Sequence, residues 1–313
     1  MTSSVTPTRF IGCDVGKRSI TVFDSQTQRS FAVANTAGAL RAFAKRLDPC
    51  CLVICEAATG GYEGRLLASL VAAEVPAHRA DARKVKAFIR SFGTLGKSDK
   101  IDAKGLSRYG AERHARLGRW QPRDEDRLSL QTLVLTRQDL VKSRTAFQNR
   151  LVAPQSQAAR PYLRAVLAKL DAEIAKIEAR IEELERDSAP LRQALKILIG
   201  IVSIGTTTAS ALLALMPELG TLNRRQIAAL GGLAPHPNQS GEQERYRRTR
   251  GGRHAVKDAL FMAALSASRY HPTLSLLYQR LVQRGKKQIV ALAAVRRKLL
   301  IIANAKLRDA MAV

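Results

Sequence analysis

Short apolar runs fill the first third of the chain. Phe10-Ile11-Gly12-Cys13 leads to Asp14 and then Val15-Gly16-Lys17, which predicts a strand ending in an acid and a glycine turn. Ile20-Thr21-Val22-Phe23-Asp24 and Phe31-Ala32-Val33 follow at hairpin distances, so this part reads as an antiparallel three-strand meander. From Thr36 to Leu47 the apolar positions switch to helical spacing. Leu52-Val53-Ile54-Cys55-Glu56 is a continuous apolar run, as expected of a strand buried on both faces. A helix through Leu66, Leu67 and Leu70, a strand from Val75 to His78 and a helix from Val85 to Ile89 complete the pattern. Residues 1–8 read as a loose polar lead-in.

Three strands, helix, strand, helix, strand, helix is the order of a ribonuclease-H-like α/β domain. Tyr109 to Arg127 is a polar, proline-marked transition holding the single tryptophan, Trp120. Beyond it, Leu163, Leu167, Leu170, Ile174, Ile177, Ile181 and Leu184 alternate spacings of four and three, which is a heptad seam. Leu133, Leu140 and Phe147 lie seven apart on the preceding segment, and Pro154 to Pro161 separates the two, so a helical hairpin is expected. Packing within the chain and packing against a second copy both satisfy such a seam. The last third opens with the glycine-punctuated stretch Leu198 to Ala209 and an apolar helix from Ala211 to Met216. It closes with helices from Ala255 to Ser268 and Ile289 to Leu307. The expected architecture is thus an N-terminal α/β domain over 1–118, a helical coiled-coil hairpin over 119–192 and a mostly α-helical domain over 193–313.

Charge changes this picture from architecture to partner. Lys and Arg number 52 against 26 Asp and Glu, a formal net charge of +26 spread along most of the chain. Nucleic acid is the expected polyanion, because each neutralised phosphate releases condensed counterions. No run of about 18 apolar residues is present, which argues against a membrane-spanning segment. No secretory signal opens the sequence, and a soluble intracellular protein is expected. The four cysteines, Cys13, Cys50, Cys51 and Cys55, lack the paired spacing of a zinc site. Cys13 and Cys55 each precede an acid on a strand, so they should face the core as small hydrophobes.

Gly96-Lys97-Ser98-Asp99-Lys100-Ile101-Asp102 carries the densest candidate chemistry. Ser98 suits an N-cap, and Asp99 and Asp102 would project from the first turn of one helix. A solvated amphipathic turn is one reading. The other is a metal site, because Asp14 ends the first strand, Glu56 ends the fourth, and sequential strands separated by a helix are commonly neighbours. Four carboxylates converging at one sheet end form a hard oxygen cage for Mg²⁺ or Mn²⁺, and such a cage supports two-metal phosphodiester chemistry. Downstream, Gly205 before Thr206, Thr207 and Thr208 either grips a phosphate at a helix start or makes a plain structural turn. Ser240 heads a loop with Arg245, Arg247, Arg248, Arg250 and Arg253; guanidinium forks suit phosphate, and the serine is either a turn former or a nucleophile. Arg296-Arg297-Lys298 on the last helix suits backbone contact or solvent.

Several of these segments in one order resemble a known family. Gly12-Cys13-Asp14-Val15-Gly16-Lys17, Cys55-Glu56-Ala57-Ala58-Thr59-Gly60-Gly61-Tyr62 and Lys97-Ser98-Asp99-Lys100-Ile101-Asp102-Ala103 are three of them. The others are the glycine turn at Gly205, Gly231-Gly232-Leu233-Ala234-Pro235, Ser240-Gly241 and Arg296-Arg297-Lys298-Leu299-Leu300. The chain resembles the DEDD-type insertion-sequence transposases, also called bridge-RNA-guided or seeker recombinases, over nearly its whole length. The resemblance implies a RuvC-like N-terminal domain whose metal-binding tetrad is Asp14, Glu56, Asp99 and Asp102. It implies Ser240 as nucleophile of the C-terminal transposase domain, and phosphate contacts from the arginine loop. It further implies donor and target DNA chosen by an element-encoded guide (bridge) RNA, Mg²⁺ without a nucleotide cofactor, and a homo-oligomer built as a dimer of dimers. The expected setting is the bacterial cytoplasm at the nucleoid. Two rivals stand beside it: a metal-dependent nuclease resembling Holliday-junction resolvases, with Ser240 only binding phosphate, and a non-catalytic nucleic-acid-binding scaffold.

Overall fold

The computed structural model describes residues 6–57, 60–93, 96, 98–122, 124–237, 239–240, 243–244 and 247–311. Of the residues singled out above, Ala58, Thr59, Lys97, Gly241, Arg245 and residues 1–5 of the lead-in lie outside this set, and Ser240 is described by its backbone. The chain forms two compact units, 1–122 and 123–313.

The first unit is a five-stranded sheet. β1 (Arg9–Val15), β2 (Ser19–Asp24) and β3 (Arg29–Ala34) form the expected meander, followed by α1 (Ala37–Ala44), β4 (Cys51–Glu56), α2 (Gly64–Ala72), β5 (Ala77–Ala80), α3 (Ala82–Arg90) and α4 (Asp99–Arg113). The strand order is β3-β2-β1-β4-β5, with β1–β2 and β2–β3 antiparallel and β1–β4 and β4–β5 parallel. This is the ribonuclease-H-like arrangement that the element order predicted. Period-two alternation divides the core. Ile11, Cys13, Val53 and Cys55 meet Leu40, Phe43, Leu66 and Leu70 on one face, whereas Phe10, Leu52 and Ile54 meet Val85, Phe88, Leu106 and Tyr109 on the other. The polar transition expected from Tyr109 starts later than its composition suggested. Tyr109 is buried and α4 runs on to Arg113, because Tyr109 stacks edge-on against Phe88 at 5.2 Å. Beyond it, Trp120 donates its backbone N–H to Ala77 at 2.7 Å and lays its ring against the sheet core.

The cysteine expectation can be checked chemically. Cys13, Cys51 and Cys55 are buried and unbridged. Burial pushes the Cys55 thiol up to about 12 and Cys51 to about 11, and raises Cys13 well above its usual range. At pH 8 a thiol titrating near 12 is thiolate in about one molecule in ten thousand, so reaction with a disulfide reagent is slowed accordingly. In the folded protein one thiol, the half-exposed Cys50, should label rapidly, and the other three should label only on adding denaturant. Rapid labelling of more than one would contradict this packing.

The second unit is helical. α5 (Glu125–Leu151) and α6 (Arg160–Asp187) are joined through a 3-10 turn at Pro154–Ala159. Arg137 bonds Glu178 at 2.6 Å and Arg144 bonds Asp171 at 2.6 Å, so seven residues up α5 correspond to seven down α6 and the helices are antiparallel. The seam residues Leu163, Leu167, Leu170, Ile174, Ile177 and Leu184 are half-buried, and Ile181 is buried outright. Then come α7 (Ala189–Ile199), α8 (Thr206–Leu215), α9 (Arg224–Leu230), a short hairpin of β6 (Gln239–Ser240) and β7 (Gln243–Glu244), α10 (His254–Tyr270), α11 (Leu274–Gln283) and α12 (Gln288–Met311). Residues 209 to 215 of α8 are buried on every side, which makes it the central helix of this unit. Leu130, Val134 and Ile181 share its core with Leu260, Val295 and Leu299, so the inner ends of α5 and α6 belong to the same hydrophobic body. Among the described residues, no helix is long and apolar enough to cross a membrane.

Candidate active site

Asp14 and Glu56 come together through strand pairing. The β1–β4 register reaches Cys13 opposite Cys55, and the two acids are the next residues on adjacent parallel strands. Since Cys13 and Cys55 point to the α1–α2 side, alternation sends Asp14 and Glu56 to the other face. That face is covered by α4. Its docking is unusually close because a glycine faces it: a Cβ on Gly12 would lie 1.9 Å from the Ala103 carbonyl oxygen and 2.5 Å from the Ser107 nitrogen. Ser107 Oγ donates to the Phe10 carbonyl at 2.8 Å, and Gly110 lies against Ile54 and Phe10. Moving along β1 from Phe10 to Gly12 therefore moves back along α4 from Gly110 and Ser107 to Ala103. The next position on this face, Asp14, is directed toward the first turn of α4, where Asp99 and Asp102 stand.

That turn is built as expected. Ser98 is the N-cap, in extended backbone, and its hydroxyl accepts from the Ile101 N–H at 3.3 Å. Asp99 and Asp102 complement the positive end of the helix. Asp14, Glu56 and Asp102 are half-buried and Asp99 is exposed. Among the described residues, no three acidic, histidine or cysteine side chains lie close enough together to hold one metal ion. As donors the four suit a hard divalent cation, being carboxylates alone, delivered to one face at one end of the sheet.

Ser240 belongs to the second unit. Pro235 bridges Thr249, the His236 N–H donates to the Arg248 carbonyl at 3.1 Å, Gln239 pairs with Glu244, and Ser240 pairs with Gln243. These contacts form one hairpin arm, with Ser240 as the last residue of β6. The base of the arm needs glycine. Gly232 and Gly252 both have positive φ, and a Cβ on Gly252 would sit 2.2 Å from the Gly232 nitrogen, while one on Gly232 would meet the Gly251 oxygen at 2.4 Å. Arg247, Arg248 and Arg250 are exposed along the returning strand of the arm.

Arg253 has a different setting. Its guanidinium forks onto Glu218 with two contacts of 2.6 Å, a further N–H reaches the Leu215 carbonyl at 2.8 Å, and its backbone N–H bonds Leu230 at 2.9 Å. It thereby ties the ends of α8 and α9 to the start of α10. The pair is about one-third exposed, so solvent screens part of its strength. Arg253→Ala should cost about 1–2 kcal/mol, read as a lower denaturant midpoint, and Arg253→Lys should not rescue it because an ammonium lacks the fork. An unchanged midpoint in both variants would contradict that role. Gly205 caps α8 in extended backbone, with Thr206 and Thr207 exposed after it. Sequence reasoning missed the docking role of Gly12, the partner Glu218 and the glycine crossing. The last had a visible signal, since paired glycines at 231–232 and 251–252 flank the arm.

Comparison with known proteins places the chain in a family. Residues 11–154 match the DEDD-type IS110 transposase family, and residues 195–279 match the family described as "Transposase IS116/IS110/IS902 family". The chain belongs to this family of transposases. It is 28% identical over 261 residues to the "Pilin gene-inverting protein" of Moraxella lacunata, covering 80% of this chain and 79% of that one. The protein of the same description from Moraxella bovis is 28% identical over 234 residues, with coverage of 72% and 70%. A solved structure, "T. thermophilus RuvC in complex with Holliday junction substrate", is 14% identical with a TM-score of 0.29, covering 36% of this chain and 99% of that one. The last likeness adds nothing to the strand order above. Membership in a transposase family implies an enzyme that cleaves and rejoins DNA.

Proposed function

We propose that the protein recombines DNA through a covalent phosphoserine intermediate formed by Ser240, at sites selected by a guide RNA paired with donor and target DNA. The observation that carries the nuclease half of this reading is the Gly12–Ala103 contact, which turns the first turn of α4 toward the strand ends bearing Asp14 and Glu56. Asp14, Glu56, Asp99 and Asp102 would hold Mg²⁺ or Mn²⁺, which when bound supplies charge neutralisation at the scissile phosphate. Ser240 Oγ forms a bond to phosphorus, the bond from phosphorus to one strand oxygen breaks, and the proton lost by the serine is returned to that departing oxygen. No nucleotide is consumed, because the phosphodiester is exchanged rather than hydrolysed. The exposed Arg247, Arg248 and Arg250 contact phosphates beside the serine, with Arg245 as a further candidate.

Inversion of a gene, as in the names of the two Moraxella relatives, requires cutting and rejoining at two sites, and conserved bond energy suits that task. The net charge of +26 supports a protein that holds RNA and two DNA duplexes while base pairing carries specificity. Because the acids and the serine lie in separate units, we propose a homo-oligomer, a dimer of dimers, in which the hairpin of α5 and α6 (within 119–192) acts in assembly. The setting proposed is the bacterial cytoplasm at the nucleoid.

The test is a gel assay with the protein, the flanking RNA of its gene, labelled donor and target DNA, and Mg²⁺. A protein-linked DNA band should form, and it should be lost in Asp102→Ala. DNA cut without any protein-linked band would establish the hydrolytic reading instead.

A further inference from the structure

The second unit contains a cavity of about 560 Å³ between α5, α6, α8 and α10 that is lined by neither Ser240 nor the arginines of its arm. Its size is that of a small-molecule site. Ile181, Ala211 and Met262 give it apolar walls, and Glu178, Glu182, Glu185 and Asp258 bring four carboxylates to it. Two basic side chains also line it, and both are engaged: Arg137 bonds Glu178 at 2.6 Å, and Lys142 is drawn to Asp139 at 3.6 Å. Among the described residues, no ion pair engages Glu182, Glu185 or Asp258. On a chain of net charge +26, this concavity has the opposite sign from most of the surface.

Glu185 separates this cavity from a chance acidic patch. It is 2% exposed, it lines the cavity, and its Oε1 is buried without a hydrogen-bond partner. Buried acceptors are satisfied in folded proteins with few exceptions, so an orphaned carboxylate oxygen facing a cavity calls for a donor from outside the chain. Burial, and then repulsion from Glu182, push its carboxyl up, while Ser210 acts to lower it. Both upward influences are relieved by a cation. Glu182 and Asp258 are exposed where Glu185 is not, so the acids span from depth to surface. The start of α8 also borders the cavity through Thr206, Thr207 and Thr208. A helix end carries about half a positive charge, which the acids beside it outnumber. An anion here would face those carboxylates, so the cavity side of the Gly205–Thr206 turn does not suit phosphate. The apolar walls beside these acids do not suit a bare divalent ion, which takes oxygen donors on all sides. The occupant is therefore an organic cation with an apolar body.

We propose that this cavity binds a linear polyamine, one ammonium donating to Glu185 and a second lying among Glu182 and Asp258, with the methylene chain against Ile181 and Ala211. Polyamines are repelled elsewhere by the basic surface, so binding should be confined to one site.

Isothermal titration of spermidine and of putrescine into the full-length protein, with Mg²⁺ as comparison, tests this. Saturable binding of the polyamines at one site is expected, weakened by about tenfold in Glu182→Gln and further in Glu182→Gln/Glu185→Gln. Glu112→Gln, which removes an exposed acid on α4, should bind as the wild type does. Glu182 is exposed, so its single variant remains informative if the double variant fails to fold. Two results would overturn the proposal: no saturable heat up to about 5 mM polyamine, or equal affinity in wild type and Glu182→Gln. A third would do so as well. If no polyamine binds and Glu182→Gln lowers the sedimentation coefficient of the protein alone, these carboxylates serve a lysine or arginine of a second copy.

Discussion

Ser240→Ala is expected to abolish the protein-linked DNA species and to reduce strand cleavage by at least about a thousandfold, because the proposed attacking atom is removed. Binding to DNA should change little, since a serine hydroxyl contributes one neutral hydrogen bond beside an arm bearing Arg247, Arg248 and Arg250. The measurement is single-turnover cleavage at saturating DNA, with denaturing gels to find the covalent species and a binding assay at matched salt. Pairing of Ser240 with Gln243 is a backbone contact that alanine preserves, so the arm itself should survive. Cleavage that persists in Ser240→Ala would mean that water, held at the acids, is the nucleophile. The enzyme would then be a nuclease whose serine binds phosphate, and rejoining would need another explanation.

Gly12→Val should be nearly as damaging from a position with no chemistry of its own. The side chain would enter space held by backbone atoms of α4, at 1.9 Å and 2.5 Å for the first carbon alone, and helix backbone cannot yield locally. Relief requires the helix to move outward by more than an ångström. That breaks the buried Ser107–Phe10 bond and loosens Leu106 and Tyr109 from the sheet. Overpacking of this kind costs about 1–3 kcal/mol or more, which lowers the thermal midpoint by several degrees. Because α4 also carries Asp99 and Asp102, a shift of about an ångström should reduce the chemical step by about a hundredfold even where the variant is folded. Gly38→Ala is the control: a Cβ there meets nothing within 4 Å, and in α1 it should be neutral or slightly stabilising. Full activity in a folded Gly12→Val protein would show that the first turn of α4 has no part in cleavage.

Periodicity was sufficient for the α/β unit. Alternation in β1 and the continuous run in β4 specify which strands have one polar end and which are buried, and the helices between them show the change to a 3.6-residue period. The acids at strand ends and the capped pair on α4 were legible for the same reason, because each follows from local patterning: a strand terminus, an N-cap, a first turn. The cysteines were legible too, since alternation beside an acid leaves them the core side.

Long-range contact decided the rest. That Asp14 neighbours Glu56 depends on β4 inserting parallel to β1, and that α4 reaches them depends on Gly12 meeting Ala103 across ninety-one positions of chain. A single glycine in a strand carries no mark of which helix will lie on it. Arg253 stood in a run of arginines and looked like its neighbours, but Glu218, thirty-five residues earlier, takes its fork, whereas Arg247, Arg248 and Arg250 are exposed. Likewise Glu185 reads as one more charge on a heptad helix. Only when α8 and α10 close over α6 does it become a buried carboxylate with an unpaired oxygen, because desolvation is a property of what surrounds a residue and not of the residue itself.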